Sequence, residues 1–415
     1  MMPRHHFVFA LGQSWGRARM AHGIATELGN VGERATLLSS ATLAPKIGDG
    51  PFRREPIRSD MGPLLGLYLD RLFTRDRPDT VVLCDYPSNA GMLRRNGVDP
   101  SSLLRSDVRN CALDIWDVEA TGSDPDVFGG ERSERAAAAW AEVCDSVDRL
   151  HPVPILWPRT TGHHFRQLPR VASRSRAERD DIRARLGVSA GEKLVCFCTA
   201  TWQHLDYPYE AARKLAASIP RLVGEHVARA GSDVHLVHVG PQPYALQETL
   251  GPRYHWLAQL ATSEFEGVLA ASDVMISANI AASTVVAAML LDVPVLVLQN
   301  SVRAESVEQA ETEAGRRFSE RLRTWLAGSL PLYPFALWPI GYHRFLAPVL
   351  RDNPYRDTAA IVEVLDEAGI ESTLARLLRD ERARADRLHR QALYLRRVRS
   401  LPAVSELIAT PTARE

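Results

Sequence analysis

Lysine is nearly missing from this chain: Lys46, Lys193 and Lys214 stand against a basic complement that is otherwise arginine. A GC-rich genome explains that bias better than any claim about phosphate binding. Net charge is missing too, with 50 basic and 50 acidic residues, so nothing points to a nucleic acid or another polyanion as partner. No apolar run reaches the ~20 residues that cross a bilayer. The first residues meet histidine and a strand at once, without the pattern of a signal peptide, so the expected location is the cytoplasm. The five cysteines are Cys84, Cys111, Cys144, Cys196 and Cys198. Three of them, Cys84, Cys196 and Cys198, fall in apolar strand-like runs, which suggests reduced core thiols. Cys196 and Cys198 share a strand face, but no second pair completes a zinc site. His163 and His164 are adjacent and cannot face one metal, so they read as surface linker and no metal is expected. A G-x-G-x-x-G fingerprint is absent, and so is any short-period repeat.

What is present is the composition of a globular protein, 45% apolar and 24% charged, in 415 residues. That length predicts two domains. The most informative stretch is Ala270 to Gln299, AASDVMISANIAASTVVAAMLLDVPVLVLQ. It reads as a strand over Val274 to Ala278, a loop of small residues, a helix over Thr284 to Leu291 and a strand over Val293 to Leu298. Apolar strands this continuous belong to a parallel sheet covered on both faces. The N–H groups opening that helix, beside the Ser283 and Thr284 hydroxyls, suit a phosphate. The plain alternative is an αβ unit capped by Ser283.

The same alternation opens the chain. His6 to Leu11 is a strand, Gly12 to Gly16 a loop, Arg17 to Leu28 a helix and Arg34 to Ser39 a strand. Further strands are expected at Thr80 to Cys84, Asn110 to Asp114, Leu150 to Leu156 (interrupted by proline), Leu194 to Thr199 and Val234 to Gly240, and helices over Gly62 to Phe73 and Tyr209 to Val227. Polar residues at the carboxyl ends of parallel strands line a ligand crevice, which singles out Asp85, Tyr86, Asp114 and Asp117 in the first half. In the second half the loop after Leu194 to Thr199 carries Thr201, Trp202, Gln203 and His204. His204 is the best-placed histidine for acid or base work, although a structural histidine fits equally. His235 and His238 point to opposite faces of their strand. Residues 330 onward are rich in proline and aromatics and read as a packed connector. Helices are expected over Asp357 to Glu367 and Ser372 to Val398, and a frayed end from Pro402.

These segments resemble GT-B-type glycosyltransferases, which use nucleotide sugars. Ser277, Ala282, Ser283, Thr284, Pro294 and Val295 follow that family's nucleotide-sugar unit; Ala287 stands where the family carries a ribose-binding Glu. The Gly12 to Gly16 loop resembles the family's first loop, with Arg17 at its His position. An arginine cannot be a general base at neutral pH, but it can clamp a phosphate or carboxylate. The basic helix before Leu194 and the segment Tyr254 to Leu260 add to the likeness. The resemblance implies two Rossmann-like domains facing a cleft, with C-terminal helices crossing back. Its boundaries would be 1–165 for the acceptor side, 166–192 for a hinge, 193–335 for the nucleotide-sugar side and 336–415 for the returning helical segment.

It also implies site residues. Arg17, Thr201, Gln203, Ser283, Thr284, Gln299 and Arg303 would meet the donor diphosphate and sugar. Gly240, Trp256 and Leu257 would meet the base, and Gly12, Ser14, Trp15 and Tyr86 the acceptor. Asp85, Asp117 or His204 would supply catalysis. The partners would be a nucleoside-diphosphate sugar, as substrate and with no further cofactor, and a small-molecule acceptor in bacterial natural-product biosynthesis. A sulfur acceptor, which needs little activation, would fit the loss of the His. A homodimer is the base-rate expectation. Two alternatives remain: a nucleotide-sugar epimerase or hydrolase on the same fold, and a catalytically silent partner-binding protein of which Arg17 and Ala287 would be the signs.

Overall fold

The computed structural model describes residues 3–12, 15–115, 138–139, 141–143, 145–155, 163–204, 209–258, 260–340 and 349–409. Ser14 and Asp117 lie outside them, as does the side chain of Trp15. The described residues form two parallel sheets. The first holds β1 His5–Ala10, β2 Arg34–Ser40, β3 Arg53–Ile57, β4 Thr80–Leu83, β5 Arg109–Leu113, β6 Asp148–Val153 and β7 His163–Arg166, in the order β3-β2-β1-β4-β5-β6-β7. The second holds β8 Lys193–Cys198, β9 Val234–Val239, β10 Tyr254–Leu257, β11 Val274–Ser277, β12 Val295–Gln299 and β13 Ala359–Glu363, in the order β10-β9-β8-β11-β12-β13. In each sheet the strand order reverses once, between β1 and β4 and between β8 and β11. Ligands of open α/β sheets bind outside the carboxyl ends of the strands at such a switch point.

The central strands are apolar throughout because both faces are covered. Phe7 and Phe9 of β1 pack with Phe73 on one face, while Val8 and Ala10 meet Ala18, Ala21, Ile24 and Ala25 on the other. Those last four recur at helical spacing on α1 Trp15–Asn30 and turn its apolar stripe to the sheet. Burying each large apolar side chain contributes about 1.5–3 kcal/mol. In the second sheet Val195, Phe197, Leu236 and Ile276 form the corresponding layer, with Trp325, Phe335 and Trp338 packed on it. The proline- and aromatic-rich connector is therefore core: Trp338 is fully buried and its Nε1–H donates to the Leu215 carbonyl at 2.8 Å.

Several elements differ from expectation. Residues 357–367 are not a helix. A short turn, Pro354–Thr358, leads into β13, which pairs with β12 from Val295↔Ala359 to Gln299↔Glu363. The 372–398 helix is two, Glu367–Arg379 and Glu381–Arg399, separated by extended Asp380, whose carboxylate accepts the Ala383 N–H. The end expected to fray contains helix Val404–Ala409. It buries Val404 and Ile408, and Glu27 of α1 accepts both the backbone N–H and the hydroxyl of Ser405. His163 and His164 are not linker but part of β7, where His164 stacks on its register partner His151 at 4.8 Å.

The chain also divides elsewhere than expected. Residues 163–170 stay with the first unit and the second begins at Val171. Helix Arg176–Arg185, expected in the hinge, is fixed to the second unit: Arg183 reaches the Ala271 carbonyl and the Asp273 carboxylate. Of the 336–415 tail, residues up to Arg396 belong to the second unit and only those from Arg397 to the first.

Candidate active site

At the first switch point Gly12 follows β1 and Asp85 follows β4. A Cβ on Gly12 would lie 2.7 Å from the Ser88 Cβ, so only glycine lets this loop press on the next helix. That helix, Tyr86–Arg95, is capped by Asp85, which accepts the Ser88 hydroxyl at 2.8 Å and its backbone N–H at 3.4 Å. Arg17, on the first turns of α1, places Nε 3.5 Å from Asp85 Oδ2. Its side chain is only 20% exposed. Burial pulls the guanidinium down from its ordinary value, and Asp85 opposes that pull. Arg17 is thus part of an ion pair, not a solvated helix residue. Asp114, after β5, is fully buried beside them. Tyr86 is buried with its hydroxyl pushed up to about 12 by that burial. It packs in the apolar layer and not at the loop surface where an acceptor contact was expected.

At the second switch point the loop after β8 faces the helix after β11. That helix, Ser283–Leu290, has Ala282 at its N-cap and no side-chain cap, so Ser283 is its first residue and not the cap. Among the described residues no acceptor meets the Ser283 or Thr284 backbone N–H or hydroxyl groups, and Ser283 is exposed. Asn279 shapes the loop before it, accepting the Ala281 N–H with its side chain and the Ala282 N–H with its carbonyl. The helix itself is apolar and sunk: Ala287 is fully buried, so its position has no room for a ribose-binding carboxylate.

Across from it, Thr199 lies 2.8 Å from His238 Nε2 and 3.0 Å from His204 Nε2. Gly240 is required here, because a Cβ would come within 2.1 Å of Thr199 Oγ1 and 2.5 Å of His238 Nε2. Burial holds His238 down at about 4 and lowers His204 as well, so both are neutral imidazoles at neutral pH. Thr201 is exposed in the same loop. Gln203 is not free for a sugar: it is buried, accepts the Ala200 N–H and donates to the Trp338 carbonyl.

The remaining expected residues lie along the same sheet edge. Gly240 exchanges backbone contacts with β10, donating to the Leu257 carbonyl and accepting the Trp256 indole N–H at 3.0 Å. Trp256 is 39% exposed. Gln299 is held by Glu363 at 2.7 Å, and Glu363 also accepts the Ser301 N–H and hydroxyl. Arg303 is exposed in the loop after β12 with no ion-pair partner among the described residues. Thr199, His238, Tyr244, Tyr254 and Glu363 were not singled out as site residues by the sequence. Among the described residues no cluster of His, Cys, Asp and Glu could hold a metal, and no helix is long and apolar enough to cross a membrane.

Comparison with known proteins gives one family, described as a family of unknown function (DUF6365), which matches residues 24–415. Characterised protein sequences give no match. Among solved structures the fold is similar to WaaG, a glycosyltransferase involved in lipopolysaccharide biosynthesis (TM-score 0.56, 12% identity, 98% of this chain and 100% of that one). It is similar to Anabaena HepE, solved with UDP and glucose (TM-score 0.56, 12% identity, 98% of each chain). It is also similar to the glycosyltransferase VinC, solved with dTDP (TM-score 0.53, 13% identity, 98% of each chain). The architecture, two parallel α/β units, is that of the GT-B fold.

Proposed function

We propose that this chain, which belongs to the DUF6365 family, transfers a sugar from a nucleoside-diphosphate sugar to a small-molecule acceptor. The observation that carries the reading is the open N-terminus of helix Ser283–Leu290 at the switch point of the second sheet. Two backbone N–H groups and two hydroxyls without acceptors, at the positive end of a helix dipole, suit a diphosphate. As the sugar leaves, they would stabilise the charge growing on that diphosphate, and exposed Arg303 is the nearest free cation in sequence to join them. Trp256, on the edge strand, offers its face to the base.

The first unit would take the acceptor. Its switch point holds Arg17 where a base would be expected, and the Asp85 carboxylate is engaged by both Arg17 and Ser88. A site so furnished favours an acceptor that is nucleophilic without much help, such as a thiol or thione. A hydroxyl of a small molecule is the competing choice.

The test is a thermal-shift screen with UDP, GDP, dTDP, ADP and CDP. A nucleotide at ~100 times its dissociation constant adds about 2.7 kcal/mol of stability. One nucleotide should shift the transition, and Ser283→Ala/Thr284→Ala should weaken its binding about a hundredfold, the loss of two charge-assisted hydrogen bonds at about 1.5 kcal/mol each. No shift with any of the five would overturn the donor site and leave the partner-binding alternative.

A further inference from the structure

Among the described residues Leu67 and Leu64 are the most exposed large apolar side chains, at 68% and 65%. A single exposed leucine is ordinary. These two lie three positions apart on helix Leu64–Asp76 and so share one stripe of its surface. The inner face of that helix, Leu65, Leu69, Leu72 and Phe73, is buried in the first unit. A polar outer stripe would leave that core unchanged. Instead the stripe opens with two leucines and continues at Arg71, four positions after Leu67.

The apolar tip is held in place from below. Asn96 is 3% exposed, and its carboxamide accepts the Gly62 N–H at 2.8 Å. It donates to the Ser59 carbonyl at 3.1 Å and to the Met92 carbonyl at 2.9 Å. A buried amide with these bonds made fixes the loop that leads into the helix. Pro63, exposed at the entry, brings no N–H that would need a partner. The leucines are therefore presented by a rigid mount, not by a frayed end.

Charge around the tip is one-sided. Asp60 is engaged by Arg58, and Asp70 by Arg105. Arg71 and Arg95 are exposed and have no carboxylate partner among the described residues. Arg95 stands next to Asn96 in the chain, so both cations belong to the surroundings of the tip. A second copy of this chain would bring two more unpaired arginines to the same patch. An anionic lipid surface answers both features: its acyl boundary takes leucines, and its phosphates take guanidinium groups whose stems lie along the apolar side chains. We propose that the outer stripe of helix Leu64–Asp76 docks the first unit on an anionic lipid surface, with Leu64 and Leu67 entering the acyl boundary and Arg71 and Arg95 on the headgroup phosphates. No helix among the described residues is long and apolar enough to cross a membrane, so the contact is peripheral. Neither nucleotide nor acceptor enters this argument, and it stands or falls apart from the proposed function.

The experiment is flotation of the full chain with two kinds of vesicle, phosphatidylcholine alone and phosphatidylcholine mixed with phosphatidylglycerol, at low and at physiological ionic strength. The wild-type chain should float with the mixed vesicles, more tightly at low salt. Leu64→Ser/Leu67→Ser should weaken that binding about a hundredfold, about tenfold for each leucine returned to water. Arg71→Ala/Arg95→Ala should weaken it about twenty-five-fold, about fivefold for each arginine. Both variants should keep the wild-type thermal transition, because the replaced side chains are exposed. Leu393→Ser, at an exposed leucine on another helix, should bind as the wild type does. A wild-type chain that ignores the mixed vesicles, or a leucine double variant that still floats with them, overturns the inference. A wild-type dimer that becomes monomeric in the leucine double variant, read by light scattering, assigns the stripe to a second copy and overturns it as well.

Discussion

The two switch points occupy equivalent places in their sheets and are furnished in opposite ways. At the first, a cation sits beside its own counterion: Arg17 is paired with Asp85, and Asp85 caps the adjoining helix. At the second, the adjoining helix is uncapped and the facing loop carries neutral rings. An anion arriving at the first site would have to compete with Asp85. At the second it would meet N–H groups that no acceptor among the described residues satisfies. The same α/β switch point can thus be closed by its own charges or left open.

Acidification should pull the two units furthest apart. Burial lowers His226 and His238 in the second unit to about 4, and His6 in the first to about 4, all from 6.5. A base whose folded value is depressed gives stability that is whole above 6.5 and lost as pH falls through about 4, because the unfolded chain takes the proton first. Burial also lowers His5 and His22 in the first unit and His204 and His255 in the second, so with four such rings against three the second unit should unfold at the higher pH. Circular dichroism with nucleotide protection across that window would show it; simultaneous loss of both units would break the comparison.

Arg17→Met should come next, costing the first unit about 3 kcal/mol by leaving Asp85 partly buried without its cation. Nucleotide binding in the second unit should be unchanged, and adding Asp85→Asn should return part of the loss. Chemical denaturation of the single and double variants measures this. A smaller effect, about 2 kcal/mol, is expected from Gly240→Ala, whose methyl would collide with Thr199 and His238. Here the first unit should be untouched, and nucleotide affinity, read by calorimetry, should fall with stability. Unaltered affinity would show that the Thr199–His238 contact has no part in the site.

How much of this was legible depended on burial. The central strands β1, β8, β11 and β12 announce themselves because both of their faces are covered, which forces a continuous apolar run. The strands that escaped detection, β3, β7, β10 and β13, all lie at sheet edges. Their sequences RREPI, HHFR, YHWL and AAIVE mix buried positions with partly or fully exposed ones, so neither an apolar run nor clean alternation marks them. Candidate residues followed the same division. The helix start at Ser283 was visible because it is a local event. The role of Gln203 was misread because its carboxamide closes on Trp338, 135 positions away.

The sequence alone determined the parallel two-sheet architecture, since strand periodicity and the helices between successive strands leave few other ways to bury the apolar runs. It also determined that Arg17 cannot be a base, which is a property of guanidinium wherever it sits. Only the tertiary structure decided what these groups face. It set Arg17 against Asp85, 68 positions on. It brought Thr199 to His238 and His238 to Tyr254, and it left the helix after β11 uncapped. Partners so distant in the chain leave no local pattern, because their contacts follow from strand order, which a sequence specifies only through the fold as a whole.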